Sequence, residues 1–313
     1  METAPDFEID EEWAQVLPTV EYAPIDEPKE LDLDPMAAAE YARAKQLKAG
    51  GALRLLTLDE IAAMPPPEWL LRDLVLDQSF TVLYGPPGAL KSFVALDWSL
   101  CIASGFSWQG AHRTLDGGVV YAAGEGVAGM RQRIAAWQLH NTGASSPDRN
   151  FRLLPSNLRL LDPGTAERVS EAILAQAFTP RLLVIDTWGR AMAGADENST
   201  SDVSQAIGVV DQIREATGVS VLAIHHSRAD GDRERGNTAL RAAADQVLKA
   251  DRDGQGPVTL KSQKIKDGVP FRDIRLEPHE VSGSLVLVPA TERTGPSFGP
   301  QPLARPNFGG GFF

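Results

Sequence analysis

Gly85-Pro86-Pro87-Gly88-Ala89-Leu90-Lys91-Ser92, the stretch GPPGALKS at 85–92, decides the fold of this chain. The apolar run Phe80–Tyr84 precedes it, and Phe93 opens a segment without Gly or Pro that continues to Ser104. Strand, glycine-rich loop and helix in that order form a phosphate cradle, because the N–H groups of the loop and of the helix N-terminus converge on the anion. In such a P-loop Lys91 reaches the β- and γ-phosphates and Ser92 holds Mg²⁺. The expected ligands are therefore ATP and Mg²⁺, with the nucleotide loop running from Gly85 to Phe93. One residue departs from the usual pattern. Leu90 stands where a glycine normally precedes the lysine, so a Cβ narrows the loop while the Lys-Ser spacing survives.

Three further strand ends point the same way. In RLLVIDT, 181–187, four apolar residues lead to Asp186. Ligands bind at the carboxyl ends of strands in open α/β sheets, where this carboxylate is placed to hold Mg²⁺ through water. In VVYAAGEG, 119–126, Glu125 follows an apolar run expected to lie beside the P-loop strand. Hydrolysis needs a group that orients and deprotonates water, and Glu125 is the candidate. VLAIHHSR, 221–228, ends in two histidines; His226, the outer one, is the candidate sensor of the γ-phosphate. His112, His140, His279 and the single Cys101 form no ligand spacing with these two, so no zinc site is expected.

The rest of the chain supplies the frame. Apolar strands at Phe80–Tyr84, Val119–Ala122, Leu182–Ile185 and Val219–Ile224 alternate with helices at Val127–His140, Thr165–Phe178 and Asp202–Thr217. A further strand falls at either Phe151–Leu154 or Leu158–Leu161. Runs this apolar, interleaved with helices, predict a buried parallel sheet. After Ala239 the rhythm changes to short strands, Gln246–Ala250, Val258–Gln263, Phe271–Leu276 and Leu285–Val288, divided by the turn signals DRDGQG and KDG. The expected fold class is α/β: a RecA-like P-loop NTPase core, its mostly parallel sheet flanked by helices, with antiparallel C-terminal strands.

Outside this core, residues 1–34 carry twelve Asp or Glu and one Lys, nearly all of the chain's net charge of −12. They read as an acidic disordered tail, with Ile9, Trp13, Val16 and Leu17 at helical spacing. Residues 35–64 read as a linker region whose helix starts at Pro35 behind Asp34 and stops at Gly50 and Gly51. The ATPase domain is expected over 65–290 and a flexible Gly/Pro-rich tail over 291–313. The start of the chain lacks a basic segment followed by an apolar one, and no apolar run approaches the roughly 20 residues of a membrane span. A cytoplasmic protein without membrane contact is expected. The core is nearly neutral, which excludes a uniformly basic nucleic-acid binder but allows a local basic surface.

GPPGALKSF, VVYAAGEG, LLVIDTWGRAMAGADENS, VLAIHHSR, RGNTALRAAAD and QKIKDG occur in this order, and together they resemble the RepA-type ATPases of plasmids and phages, within the RecA/DnaB helicase superfamily. The resemblance spans about residues 65–280. It implies a ring-shaped homo-oligomer, a hexamer, with ATP between subunits and single-stranded DNA in the channel. On this resemblance Lys91 and Ser92 are the P-loop pair, Glu125 the catalytic glutamate, Asp186 the Mg²⁺ aspartate and His226 the sensor. A cation reaching a neighbour's ATP is Lys266, in the KIKDG turn, or Arg241, in TALRAAAD. DNA contacts fall to SRADGDRERGN, with Arg228, Arg233 and Arg235, whereas GADENSTSD is acidic and poor for phosphate. The implied function is a DNA-dependent ATPase, a helicase translocating on single-stranded DNA in phage or plasmid replication. The alternative is a RecA-like recombination or repair ATPase that switches DNA affinity without unwinding. Replication proteins are expected partners of the acidic tail.

Overall fold

The computed structural model of the chain describes residues 55–227 and 238–290. The acidic segment 1–34, the helix expected from Pro35, the loop carrying Arg228, Arg233 and Arg235, and the tail 291–313 lie outside the described residues. The described chain opens with a short helix α1 (Leu58–Ala62), in which Thr57 and Glu60 form a reciprocal capping box. Next comes a small hairpin, β1 (Trp69–Leu71) and β2 (Val75–Leu76). Then follow β3 (Phe80–Gly85), α2 (Lys91–Ser104), β4 (Gly118–Ala123), α3 (Val127–His140), β5 (Phe151–Leu154), α4 (Thr165–Leu174) and β6 (Pro180–Asp186). The chain continues through α5 (Trp188–Ala191), α6 (Thr200–Thr217), β7 (Ser220–His226) and α7 (Ala239–Ala243). It closes with β8 (Gln246–Arg252), β9 (Val258–Ile265), β10 (Ile274–Val281) and β11 (Ser284–Pro289).

Among the described residues the main sheet has nine strands in the order β11-β10-β9-β8-β3-β7-β6-β4-β5. From β8 to β5 all neighbours are parallel; β9, β10 and β11 extend it antiparallel. This is the α/β class with a RecA-like layout. The strand after the P-loop helix does not pair with β3, because β7 and β6 come between them. The expectation that Glu125 follows a strand beside the P-loop strand is therefore corrected: β4 is three positions away.

Strand pleating sorts the core into two layers. Leu83, Tyr121, Val184 and Leu222 face α2 and α3 in one apolar cluster, which includes Trp98, Leu100 and Trp137. Val82, Ala122, Leu183 and Ala223 face the other way, onto Ile173 of α4 and Val203, Val210 and Ile213 of α6. Helix α2 is buried from Val94 to Ala103, which explains why its sequence is apolar on all sides. Of the two segments open for the fifth strand, Phe151–Leu154 forms it.

Two boundaries differ from expectation. The helix expected to Phe178 ends at Leu174, and the Phe178 ring instead covers Gly118, where any Cβ would collide with it. The strand expected at Phe271–Leu276 begins at Ile274 and runs to Val281. Pro278 lies within β10 beyond its last pairing with β9, at Ile274–Leu276, so its missing N–H falls on an unpaired edge.

Candidate active site

The parallel register brings the predicted residues to one edge. Gly85, the last residue of β3, aligns with His226 of β7; Asp186, the last of β6, aligns with Ile224 of β7 and Ala123 of β4. All are carboxyl ends of parallel strands, where helix N-termini and strand ends leave N–H groups and side chains facing outward. Gly85 has no room for a side chain, since a Cβ there would lie 2.0 Å from the Ala250 carbonyl oxygen.

The loop has the P-loop shape. Gly88 adopts φ 81°, which suits glycine, and Leu90 adopts φ 56° as the cap of α2. A left-handed leucine costs about 1 kcal/mol, so Leu90 holds the conformation that its missing glycine would take without strain. Ala89 is buried, Pro87 and Gly88 are exposed, and Arg252 Nη1 donates to the Gly88 carbonyl at 3.3 Å. Phe93 packs below, with the Arg133 guanidinium 4.6 Å above its ring centroid.

Lys91 is buried, with Nζ donating to the carbonyls of Gly85 at 2.9 Å and Pro86 at 3.0 Å. Burial lowers its pKa to about 8, against the opposing pull of Asp186 and Glu125. Asp186 is buried as well. Burial pushes its carboxyl up, while Tyr121 and Ser92 favour the charged form. The Tyr121 hydroxyl donates to Asp186 Oδ2 at 2.7 Å, whereas Oδ1 is buried and meets no donor among the described residues. An oxygen left this way, with the Ser92 side chain facing the same carboxylate, fits a hard cation such as Mg²⁺.

Glu125 lies just past β4, where Gly124 N–H donates to the Asp186 carbonyl at 2.6 Å. A Cβ at Gly124 would meet Asn157, Arg190 and Asp186, so only glycine lets the two strand ends approach this closely. The Glu125 carboxylate pairs with Arg190 Nε at 2.9 Å, both side chains being largely exposed. Glu125, Arg190, His225 and His226 share a cleft of about 560 Å³ with the 192–198 segment. His225 is buried and His226 half-buried, as their alternate faces on β7 require.

Arg241 and Lys266 are not brought to this edge. Lys266 Nζ pairs with Asp245 at 3.0 Å, and Asp245 also accepts from Phe80 N and Arg214. Arg241 donates to the Gln263 carbonyl at 3.4 Å. Phe80, Gln246 and Ile265 mark the opposite, amino-terminal edge of β3 and β8. Neither cation reaches Lys91 of its own chain. Tyr121, Arg133, Arg190 and Arg252 belong to the site without having been singled out in the sequence. Only Tyr121 carries a local signal, a lone polar ring within an apolar strand.

A loop of this shape with a buried lysine, a buried strand-end aspartate and a nearby glutamate, all on a RecA-like sheet, defines a P-loop ATPase. A family model described as an AAA domain matches residues 43–232, more than half of the chain, and the chain belongs to that family. Among solved structures, the RadB recombinase is similar at 17% identity and a TM-score of 0.47, covering 67% of this chain and 90% of that one. A KaiC-like protein of Pyrococcus horikoshii OT3 is similar at 13% identity and a TM-score of 0.49, covering 68% and 91%. None of the described helices is long and apolar enough to cross a membrane.

Proposed function

We propose that the chain is a DNA-dependent ATPase that works as a ring of identical subunits, most specifically a hexameric helicase moving on single-stranded DNA in phage or plasmid replication. One observation carries the reading: Lys91, Asp186, Glu125 and His226 stand at one edge of the sheet, while Lys266 and Arg241 stand at the other. A cation so placed meets ATP only in a neighbouring copy, as in ATPases completed in trans.

In this reading the N–H groups of 85–92 and Lys91 hold the phosphates. Ser92 and Asp186 would hold Mg²⁺, which neutralises charge on the β- and γ-phosphoryl oxygens. Glu125 takes a proton from the attacking water as the new P–O bond forms at the γ-phosphorus and the bond to ADP breaks. For this the Glu125 carboxylate has to leave Arg190. An exposed pair of this kind contributes only about 0–1 kcal/mol, so releasing it is easy. His226 pairs with Gly85 in the sheet and in this reading registers loss of the γ-phosphate. The segment after it, outside the described residues, carries the arginines proposed for DNA.

Phosphate release with and without single-stranded DNA tests the proposal. Glu125→Gln should bind ATP normally and turn over about 10²-fold more slowly or worse. Mixing Lys91→Ala subunits with Lys266→Ala or Arg241→Ala subunits should restore part of the activity. A strictly monomeric protein with full DNA-stimulated turnover would sink the ring. Displacement of a strand from a forked duplex is expected. Its absence beside intact DNA-stimulated turnover would favour a recombination-type ATPase.

A further inference from the structure

A second cavity, of about 520 Å³, opens on the far side of β5 from the P-loop, between that strand, the 155–164 loop and α4. Its volume is within the range of ligand pockets, about 300–1,000 Å³. Leu154, Val169 and Ile173 give it an apolar floor, and Arg152, Arg159 and Arg168 stand around it. Arg159 pairs with Asp162 at 2.9 Å. Arg152 and Arg168 bond only neutral acceptors: the Gln176 side chain and the Asp148 and Phe151 carbonyls for the first, the Pro163 carbonyl and the Thr165 hydroxyl for the second. The pocket thus offers apolar contact together with two guanidiniums that no carboxylate of the described residues pairs. That chemistry suits an acidic segment with large apolar side chains.

The chain contains one. Residues 6–17, DFEIDEEWAQVL, hold five acidic residues, no basic one, and Phe7, Ile9, Trp13, Val16 and Leu17. In a helix, Ile9, Trp13, Val16 and Leu17 share a side and leave the carboxylates around it. The 37 residues between Leu17 and Leu55 span up to about 120 Å when extended, so tether length sets no limit. We propose that this pocket is the docking site of residues 6–17 of the same chain, with Trp13 on the apolar floor and the carboxylates of residues 8–12 against Arg152 and Arg168. An intramolecular partner has the advantage of effective concentration over a second copy.

The test uses the full-length protein with a photo-crosslinking phenylalanine analogue in place of Trp13, and its readout does not depend on ATP turnover. After irradiation, peptide mass mapping should find the crosslink within residues 152–176, in a product of monomer mass. Arg168→Glu should cut that yield about ten-fold, as should raised salt. The triple change Asp10→Lys, Glu11→Lys and Glu12→Lys should do the same without touching the core, and it decides the matter if Arg168→Glu fails to fold. No crosslink in 152–176, or an undiminished yield in the triple variant, overturns the proposal. Crosslinks to the pocket found only in products of dimer mass also overturn it, since the occupant is then a second copy.

Discussion

The two edges of the parallel sheet treat charge in opposite ways. At the amino-terminal edge the partly buried carboxylates meet cations of the same chain. Asp245 accepts from the Phe80 amide, Arg214 and Lys266, and Asp77 faces Arg181 and Ser220. Burial pushes the Asp245 carboxyl up, but those three donors together outweigh it and hold it below the ordinary carboxylate range. At the carboxyl edge the charges are left short. Lys91 has only carbonyls, and one oxygen of Asp186 has no donor among the described residues. Carboxylates that are partly buried are paired at one edge, whereas the two buried charges at the other, Lys91 and Asp186, form no ion pair among the described residues.

The largest expected effect follows from the unfinished edge. Lys91→Ala should lower ATP turnover by about 10³-fold or more, in line with losing a main electrostatic contact to the transferred group. Its thermal midpoint should fall little, because the burial of Lys91 outweighs the attraction of Asp186 and Glu125 and its hydrogen bonds go to two carbonyls only. Calorimetry beside phosphate release checks both halves. A large loss of thermal stability would mean that Lys91 serves the fold, and the contrast between the edges would fail.

Asp97 sharpens the contrast, being a buried carboxylate without a cation at neither edge. It lies within α2 and accepts from Trp108 Nε1 at 2.6 Å, Trp137 Nε1 at 2.7 Å and Gln109 Nε2 at 3.2 Å, with the Cys101 thiol at 3.8 Å. Burial raises its pKa from 3.8 to about 6 against those four donors. A carboxyl raised on folding contributes stability that is complete below its unfolded value and lost as pH rises through the folded one. Between about pH 4 and 6.5 the native protein should lose about 2 kcal/mol relative to Asp97→Asn. Urea midpoints of the two proteins across that range measure it. Parallel pH profiles would show that Asp97 is charged throughout and held by its donors alone.

Truncating Asp245 should be read first in stability. Asp245→Ala leaves the Phe80 amide without its acceptor and removes one of the three acceptors of Arg214, and should cost about 2 kcal/mol. Denaturant unfolding at pH 7 reads that loss, while nucleotide affinity per folded molecule stays unchanged. A weakened affinity of the isolated subunit for nucleotide in Asp245→Ala would join, within one chain, the two edges that the charge pattern separates.

How far the sequence reveals these edges depends on range. The placing of the P-loop, Asp186 and His226 at one sheet edge is legible because each closes or directly follows an apolar run, a purely local pattern. The boundaries of α3 are legible for the same reason: Gly126 stands before it and Asn141 and Gly143 follow it, with Gly129 the one glycine inside. Strand order is not local. Placing β4 three positions from β3 depends on which crossover packs on which face, and two strands of similar apolarity do not encode that by themselves. The β1–β2 hairpin is too short to show a period, with three and two residues. Arg190 and Arg133 look like ordinary helix-surface cations until the sheet brings Glu125 and Phe93 beside them.

Tyr121 is where the two kinds of legibility meet, and it carries the smallest predicted effect. Its ring is packed in the core beside Phe151, and its hydroxyl donates to Asp186 Oδ2 at 2.7 Å. Burial and the nearby Asp186 charge push the phenol well above its usual range, so it donates at every working pH. Tyr121→Phe keeps the packing and removes that donor. With one stabilising contact gone, the already raised Asp186 carboxyl rises further, and a proton competes better with Mg²⁺. The half-saturating Mg²⁺ concentration for ATP turnover should increase about ten-fold, the scale for losing a hydrogen bond behind a metal ligand. The increase should be larger at pH 6 than at pH 8, because protonation of Asp186 is the competing event. A turnover that falls equally at all Mg²⁺ concentrations would instead place Tyr121 in the positioning of Glu125 through β4, and the hydroxyl would then serve the strand and not the ion.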